Sequence, residues 1–282
     1  ADFPETASRW HELGRDADTD ILAVGFSATD GIGHQYGPDS HEQMDQVLRL
    51  DLVLDRLIKR IDSTVGLDNT LIILTSDHGS RPLVEVLQGR GVPARRVAPA
   101  VLRSAVTDAF ARRYPGVTDL ISYFATDFYL DEEVVRRHGL RWQDVERTAV
   151  AALMGTGLVE KVYTHDDLRS LAASSDPFLR LFQNAFYEPR SPHLNVLLKR
   201  DVYMSGNAGG TGHGTAYDFD RHVPIVFMGK GIVPGVYAGP SGPEDIAPTL
   251  AQLLQLEFPR ELDSRVLSEM LPPTAPPAAR RP

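Results

Sequence analysis

The chain of 282 residues contains no cysteine. Disulfides are therefore excluded, and any bound metal must be held by imidazole and carboxylate rather than thiolate. That donor set favours zinc, manganese or iron. No apolar run approaches the roughly 20 residues that span a bilayer, and no signal peptide is visible at Ala1. Basic charge is also scarce, with 29 Lys and Arg against 38 Asp and Glu and a formal net charge of -9. This balance argues against electrostatic capture of a nucleic acid polymer or an anionic membrane. The doublets Arg95-Arg96 and Arg136-Arg137 are read as solvated faces. Lack of cysteine does not fix the compartment, because exported bacterial proteins without disulfides are common.

What is present suits a globular protein: 42% hydrophobic residues can bury a sizeable core in one large domain or two ordinary ones. Ile21 to Ala28 (ILAVGFSA) is an apolar run expected to form a buried strand. After Pro38, residues Asp39 to Ile61 place Met44, Val47, Leu48, Leu54, Leu57, Ile58 and Ile61 at three- and four-residue spacing, which predicts an amphipathic helix. Thr70 to Thr75 (TLIILT) predicts a second strand, which ends at Ser76-Asp77-His78. The order strand, motif, helix, strand, motif predicts an α/β fold with a mostly parallel central sheet whose ligands gather beyond the strands' carboxyl ends.

Residues 82–176 change character and read as an inserted α+β lobe. It contains a helix over Ala98 to Arg113, an alternating strand over Leu120 to Leu130, a helix over Arg141 to Met154 and a short strand over Val159 to Tyr163. Residues 1–81 and 177–270 are then two parts of one α/β core. The second part carries strands over Asn195 to Tyr203 and Val223 to Met228 and a helix over Pro243 to Leu254. The proline-rich tail 271–282 has the composition of disorder.

Five metal-type ligands fall in three short clusters: Asp30 and His34 in ATDGIGHQYGP, Asp77 and His78 in TSDHGS, and His213 in GTGHGT. Asp30 and His34 are four apart, so a helical turn would aim both at one ion. Singly, each cluster has a plainer explanation. Asp30 could cap a turn beside a surface histidine, Asp77-His78 could be a hydrogen-bonded turn, and His213 could belong to a flexible glycine loop. Jointly, carboxylate and imidazole at strand ends suit an open site in which two ions sit roughly 3.5 to 4 Å apart. Such a pair stabilises the attacking and leaving oxygens of an in-line phosphoryl displacement, so phosphate ester hydrolysis is the natural reaction. His165-Asp166-Asp167 looks chelating but reads better as a helix N-terminus with an acidic first turn. The run SGNAGGTGHG lacks the lysine and following helix of a phosphate-binding loop.

The strings FSATDGIGHQYGPDS, LIILTSDHGS and GHGTAYDFDRHVPIVFMGKGI, with GPEDIAPTLAQLLQLEFP, resemble the alkaline phosphatase superfamily. They look most like its type I phosphodiesterase/nucleotide pyrophosphatase branch, which includes alkaline phosphomonoesterases. The resemblance covers the first 80 residues and about residues 176 to 270, and the motifs keep the family's order and spacing. It implies an alkaline phosphatase-like sandwich. It also implies two zinc ions, or other divalent metals, with Asp30, His34 and His213 on one and Asp77 and His78 on the other. The substrate would be a small phosphate ester, monoesters being the better match in wording, and the enzyme would be periplasmic or secreted.

In that family a further aspartate and a Thr or Ser nucleophile lie before the D-x-x-x-H motif, and ADFPETASRWHELGRDADTD offers neither in a strand-and-helix setting. The chain is thus expected to be the second half of an enzyme, with the N-terminal half of the same protein as its partner. Thr29, Ser76 and Ser80 read as turn hydroxyls rather than nucleophiles. Thr211 and Thr215 are expected to orient the loop around His213. Two alternatives stand beside this reading: a cofactor-independent phosphoglycerate mutase type with manganese, and a noncatalytic metal-binding domain.

Overall fold

The computed structural model describes residues 4, 6–8, 11–259 and 263–273. The opening residues 1–3 and most of the tail expected to be disordered, 274–282, lie outside the described residues. The chain clusters into two compact units, one of residues 1–32, 41–79 and 222–282, the other of residues 33–40 and 80–221.

In the first unit the expected amphipathic helix runs over His41–Thr64. Its surface carries the i,i+4 pairs Asp45–Arg49 (2.7 Å) and Asp55–Lys59 (2.8 Å). Leu54, Leu57, Ile58 and Ile61 are half-buried, whereas Met44, Val47, Leu48 and Leu52 stay exposed, Leu52 at 64%. The strand Leu71–Thr75 forms as expected and pairs antiparallel with Ile225–Gly229. Gly229 closes that ladder at φ 109°, where a Cβ would stand 2.1 Å from the Thr70 carbonyl oxygen, so only glycine fits.

The helix Ile246–Leu253 completes the unit. It is seated by Thr249, which is fully buried: its hydroxyl donates to the Asp245 carbonyl (2.6 Å) and accepts from the Leu267 amide (3.0 Å).

The strand expected over 21–28 does not form. Residues 21–26 carry no ladder and Ile21 is 74% exposed, while Ala28 already opens a helix. A strand exists only through hydrogen bonds to a neighbour, and among the described residues none lies alongside this segment. The α/β class stands, but parallel pairing is confined among the described residues to one three-residue ladder, Arg95–Val97 with Val202–Met204.

The second unit is built on a four-stranded antiparallel sheet. In spatial order it contains Ile121–Phe124, Phe128–Leu130, Leu194–Leu198 and Val159–Thr164. Residues 177–221 fall in this same unit, where the strand Leu194–Leu198 pairs with Val159–Thr164. Helix Pro99–Arg113 starts with proline at its first turn, where a missing N–H costs nothing, and ends on Arg112 and Arg113, which complement the helix dipole. It buries Leu102, Val106 and Phe110, one per turn, against Val145, Ala149 and Leu153 of helix Trp142–Gly155 and against Phe128 and Leu194 of the sheet.

Two expected strands are each divided. The alternating run 120–130 is a hairpin whose turn ends on Asp127, and the Asp127 carboxylate accepts the Val196 amide at 2.6 Å. Residues 195–203 break at Lys199–Asp201, where the Val202 amide donates to the Lys199 carbonyl, and the two halves enter different sheets. His165-Asp166-Asp167 opens the short helix His165–Arg169 as expected, capped reciprocally by Thr164 and Asp167.

Phe128 is fully buried among these elements, so Phe128→Ala is expected to cost about 3–5 kcal/mol, read as a shift in the urea unfolding midpoint. His193 is held below the ordinary histidine range by burial and by neighbouring His165, against an opposing pull from Glu132. A depressed histidine pKa means that the unfolded state takes up a proton first, so this unit should lose stability as pH falls below about 6.5. Replacing His193 with Gln should flatten that decline in denaturation midpoints measured across pH.

Candidate metal centre

Asp30 and His34 sit on the helix Ala28–Tyr36. Gly37 follows it at φ 84°, the left-handed conformation that commonly ends a helix. The i,i+4 spacing sets both side chains on one face, as the sequence implied. His213 lies in the loop Ser205–Gly214, which contains five glycines and no regular element.

The loop is tied to the helix by two hydrogen bonds between His34 and Thr211. The Thr211 amide donates to the His34 carbonyl at 2.8 Å, and the His34 Nδ1–H donates to the Thr211 carbonyl at 2.7 Å. The His34 and His213 ring centroids are 5.0 Å apart. One ligand atom from each of Asp30, His34 and His213 lies within 4.8 Å of the other two, an arrangement fixed by one helix and one loop.

These donors fit a divalent ion. A carboxylate and two imidazoles are the hard and borderline ligands that zinc takes. The Nδ1–H bond to a backbone carbonyl selects the His34 tautomer whose Nε2 bears the lone pair, the usual way a ligating histidine is oriented. His78 has the same arrangement at the end of the strand Leu71–Thr75, its Nδ1 lying 2.8 Å from the Gly79 carbonyl oxygen. The neighbouring Asp77 side chain is 86% exposed, with Oδ2 3.6 Å from His78 Nε2. The Ser76 hydroxyl donates to the His78 carbonyl at 2.7 Å, the turn role expected of it, and Thr29 Oγ1 accepts from Gln46 at 3.4 Å.

The threonines flanking His213 act through different atoms. Thr211 uses its backbone, whereas the Thr215 hydroxyl and amide both donate to Asp220 Oδ2, at 2.6 and 2.7 Å, and Asp220 is itself buried.

Two arginines were not identified as part of this region from the sequence. Arg81, directly after the DHGS motif, is buried, and its guanidinium donates to the carbonyls of Val202 (2.6 Å) and Arg200 (2.9 Å). Burial pulls its pKa below the usual arginine range, with the charge of Asp220 opposing. Arg96, read as half of a solvated doublet, has a side chain only 13% exposed and forms a bidentate pair with Glu85. That pairing holds the Glu85 carboxyl down to about 2. Its neighbour Arg95 is exposed. The available signal was strand alternation: in Arg95–Val97 adjacent side chains point to opposite faces, so one arginine of the doublet had to turn inward. Arg136 and Arg137 are both exposed, as expected of a solvated face.

Residues 3–222 match the type I phosphodiesterase/nucleotide pyrophosphatase family. The chain belongs to that family. Among curated relatives, alkaline phosphatase PhoK of Sphingomonas sp is 32% identical over 281 residues, covering 94% of this chain and 49% of PhoK. Alkaline phosphatase PafA of Elizabethkingia meningoseptica is 28% identical, covering 93% and 47%. A Myroides odoratus protein named calcium-transporting ATPase is 30% identical, covering 92% and 47%. The crystal structure of wild-type PafA superposes with a TM-score of 0.87 at 26% identity, over 96% of this chain and 51% of that one. The alkaline phosphatase-like α/β fold is thereby shown, and the chain spans about half the length of the curated relatives it matches.

For this family member, Asp220→Ala should leave the Thr215 amide and hydroxyl without their acceptor, at a cost of about 1–3 kcal/mol. The change is to be measured by thermal unfolding, with Asp220→Asn retaining part of the loss because its amide oxygen can still accept.

Proposed function

We propose that this chain supplies the metal-binding part of a phosphoric ester hydrolase of alkaline phosphatase type. Asp30, His34 and His213 would hold one zinc ion, and Asp77 and His78 would contribute to a second. The observation that carries the reading is the convergence of three donor atoms within 4.8 Å at the D-x-x-x-H and G-H-G motifs of a phosphodiesterase-family chain.

When bound, such ions supply positive charge for the nonbridging phosphoryl oxygens and lower the pKa of a coordinated hydroxyl or water. The protein's own part is orientation. The Thr211 carbonyl holds the His34 ring in its ligating tautomer, and the glycine loop brings His213 beside it. The carboxylate of Asp30 offsets ionic charge that two neutral imidazoles would leave uncompensated.

In this reading the nucleophile is a Thr or Ser supplied by polypeptide preceding this chain, which is also its partner. Engagement of Ser76 and Thr215 in local hydrogen bonds supports that division of labour. Residues 82–176 are taken as an insertion into the core. The protein is placed in the periplasm or outside the cell, and no helix among the described residues is long and apolar enough to cross a membrane.

The test uses the longer polypeptide containing this chain, with hydrolysis of an aryl phosphate monoester and the matching diester followed in zinc-loaded protein. His213→Ala should lower turnover by more than about a hundredfold, beyond what loss of an outer ligand partner usually costs, and should lower the zinc content in parallel. Undiminished turnover and zinc content would refute the ligand assignment.

A further inference from the structure

A loop with glycine at 206, 209, 210, 212 and 214 has more backbone freedom to lose than any other ten-residue stretch of comparable exposure would, so a histidine on it is a poor ligand unless something holds the loop. Three successive carbonyls of the loop are in fact held. The Gly210 oxygen accepts from Arg96 Nη2 at 2.6 Å, the Thr211 oxygen from His34 Nδ1 at 2.7 Å, and the Gly212 oxygen from the Arg81 amide at 3.4 Å. The Arg96–Glu85 pair thus reaches the loop through the Gly210 carbonyl. Charge-assisted bonds of this kind are the stronger class.

The Tyr203 ring lies against both guanidinium groups, 5.5 Å from Arg81 and 5.3 Å from Arg96. Its hydroxyl abuts Gly212, where a Cβ would come within 2.9 Å of the oxygen. Gly212 does not need a left-handed backbone, so the close approach of Tyr203 is what requires glycine there.

We infer that Arg96, paired with Glu85, and Tyr203 are positioning residues for His213, clamping the glycine loop so that its imidazole is presented to the metal before the metal arrives. The inference rests on the proposed role of His213 as a ligand. It adds that the site's preorganisation comes from an arginine–tyrosine–arginine stack outside the ligand set. An outer clamp of this kind typically changes metal affinity by 10- to 100-fold when removed.

Zinc competition titrations and the visible spectrum of the cobalt-substituted protein supply the readout, with amide hydrogen exchange of the metal-free protein as a second measure. Arg96→Ala should weaken zinc binding by about 10- to 100-fold, alter the cobalt spectrum and speed exchange at Thr211. Arg96→Lys should recover only part, since an ammonium cannot keep the bidentate grip on Glu85 while reaching Gly210. Gly212→Ala should weaken binding in the same way, and adding Tyr203→Phe, which removes the obstructing oxygen, should restore it.

Zinc affinity and Thr211 exchange unchanged in both Arg96→Ala and Gly212→Ala would overturn the inference, as would a double variant no better than Gly212→Ala alone. The two readings separate cleanly. A wild-type protein whose zinc binding is indifferent to His213→Ala would refute the ligand assignment, while the exchange rates of the metal-free variants would still decide the clamp.

Discussion

Two hydrogen bonds between residues 177 positions apart in the sequence, His34 and Thr211, set the geometry on which the candidate centre depends. One joins backbone to backbone and the other joins ring to backbone. Together they fix the distance between helix and loop and also the rotation and tautomer of the His34 imidazole. If both were lost, Asp30 and His34 would keep their helical spacing, but His213 would sit on a glycine-rich tether held only through Gly210 and Gly212. The ordering entropy of that tether, on the order of 1–2 kcal/mol per residue, would then fall on the metal. The arginines beneath the loop matter for the same reason, since they order backbone that carries too few side chains to order itself.

The candidate donors that the structure gathers, Asp30, His34 and His213, could be picked out in the sequence by residue type and short spacing. Asp30 and His34 needed only the helical period to be set on one face, and the Asp77-His78 pair needed only the end of an apolar strand. The helices His41–Thr64, Pro99–Arg113 and Trp142–Gly155 were legible through their apolar period. Where the reading failed, the deciding contacts were long-range. The run 21–28 has a strand's composition without a neighbour to pair with among the described residues. The segment 195–203 has a strand's length, but its halves answer to different partners, Val159–Thr164 and Arg95–Val97. Arg96 looked solvated because a doublet of charges reads as surface, and strand alternation together with the approach of Glu85 and Gly210 shows otherwise.

The first unit shows a related gap between pattern and burial. The N-terminal half of helix His41–Thr64 carries the apolar face expected of a packed helix, yet Met44, Val47, Leu48 and Leu52 remain exposed. Leu74, Val226 and Met228, on the paired strands, are exposed as well. Apolar area left in water forgoes about 25 cal/mol per Å², so these side chains add little to the burial that holds the first unit together. The second unit, by contrast, buries its own core around Phe128, Leu102 and Leu153.

The central claim is that Asp30, His34 and His213 form one metal site. Crystals grown with zinc and recorded on either side of the zinc absorption edge test it directly. The account predicts an anomalous peak bonded to all three residues, at about 2.0–2.2 Å from each donor atom, that is lost in His213→Ala crystals. A peak that forms without His213, or zinc found only at other residues, would contradict it.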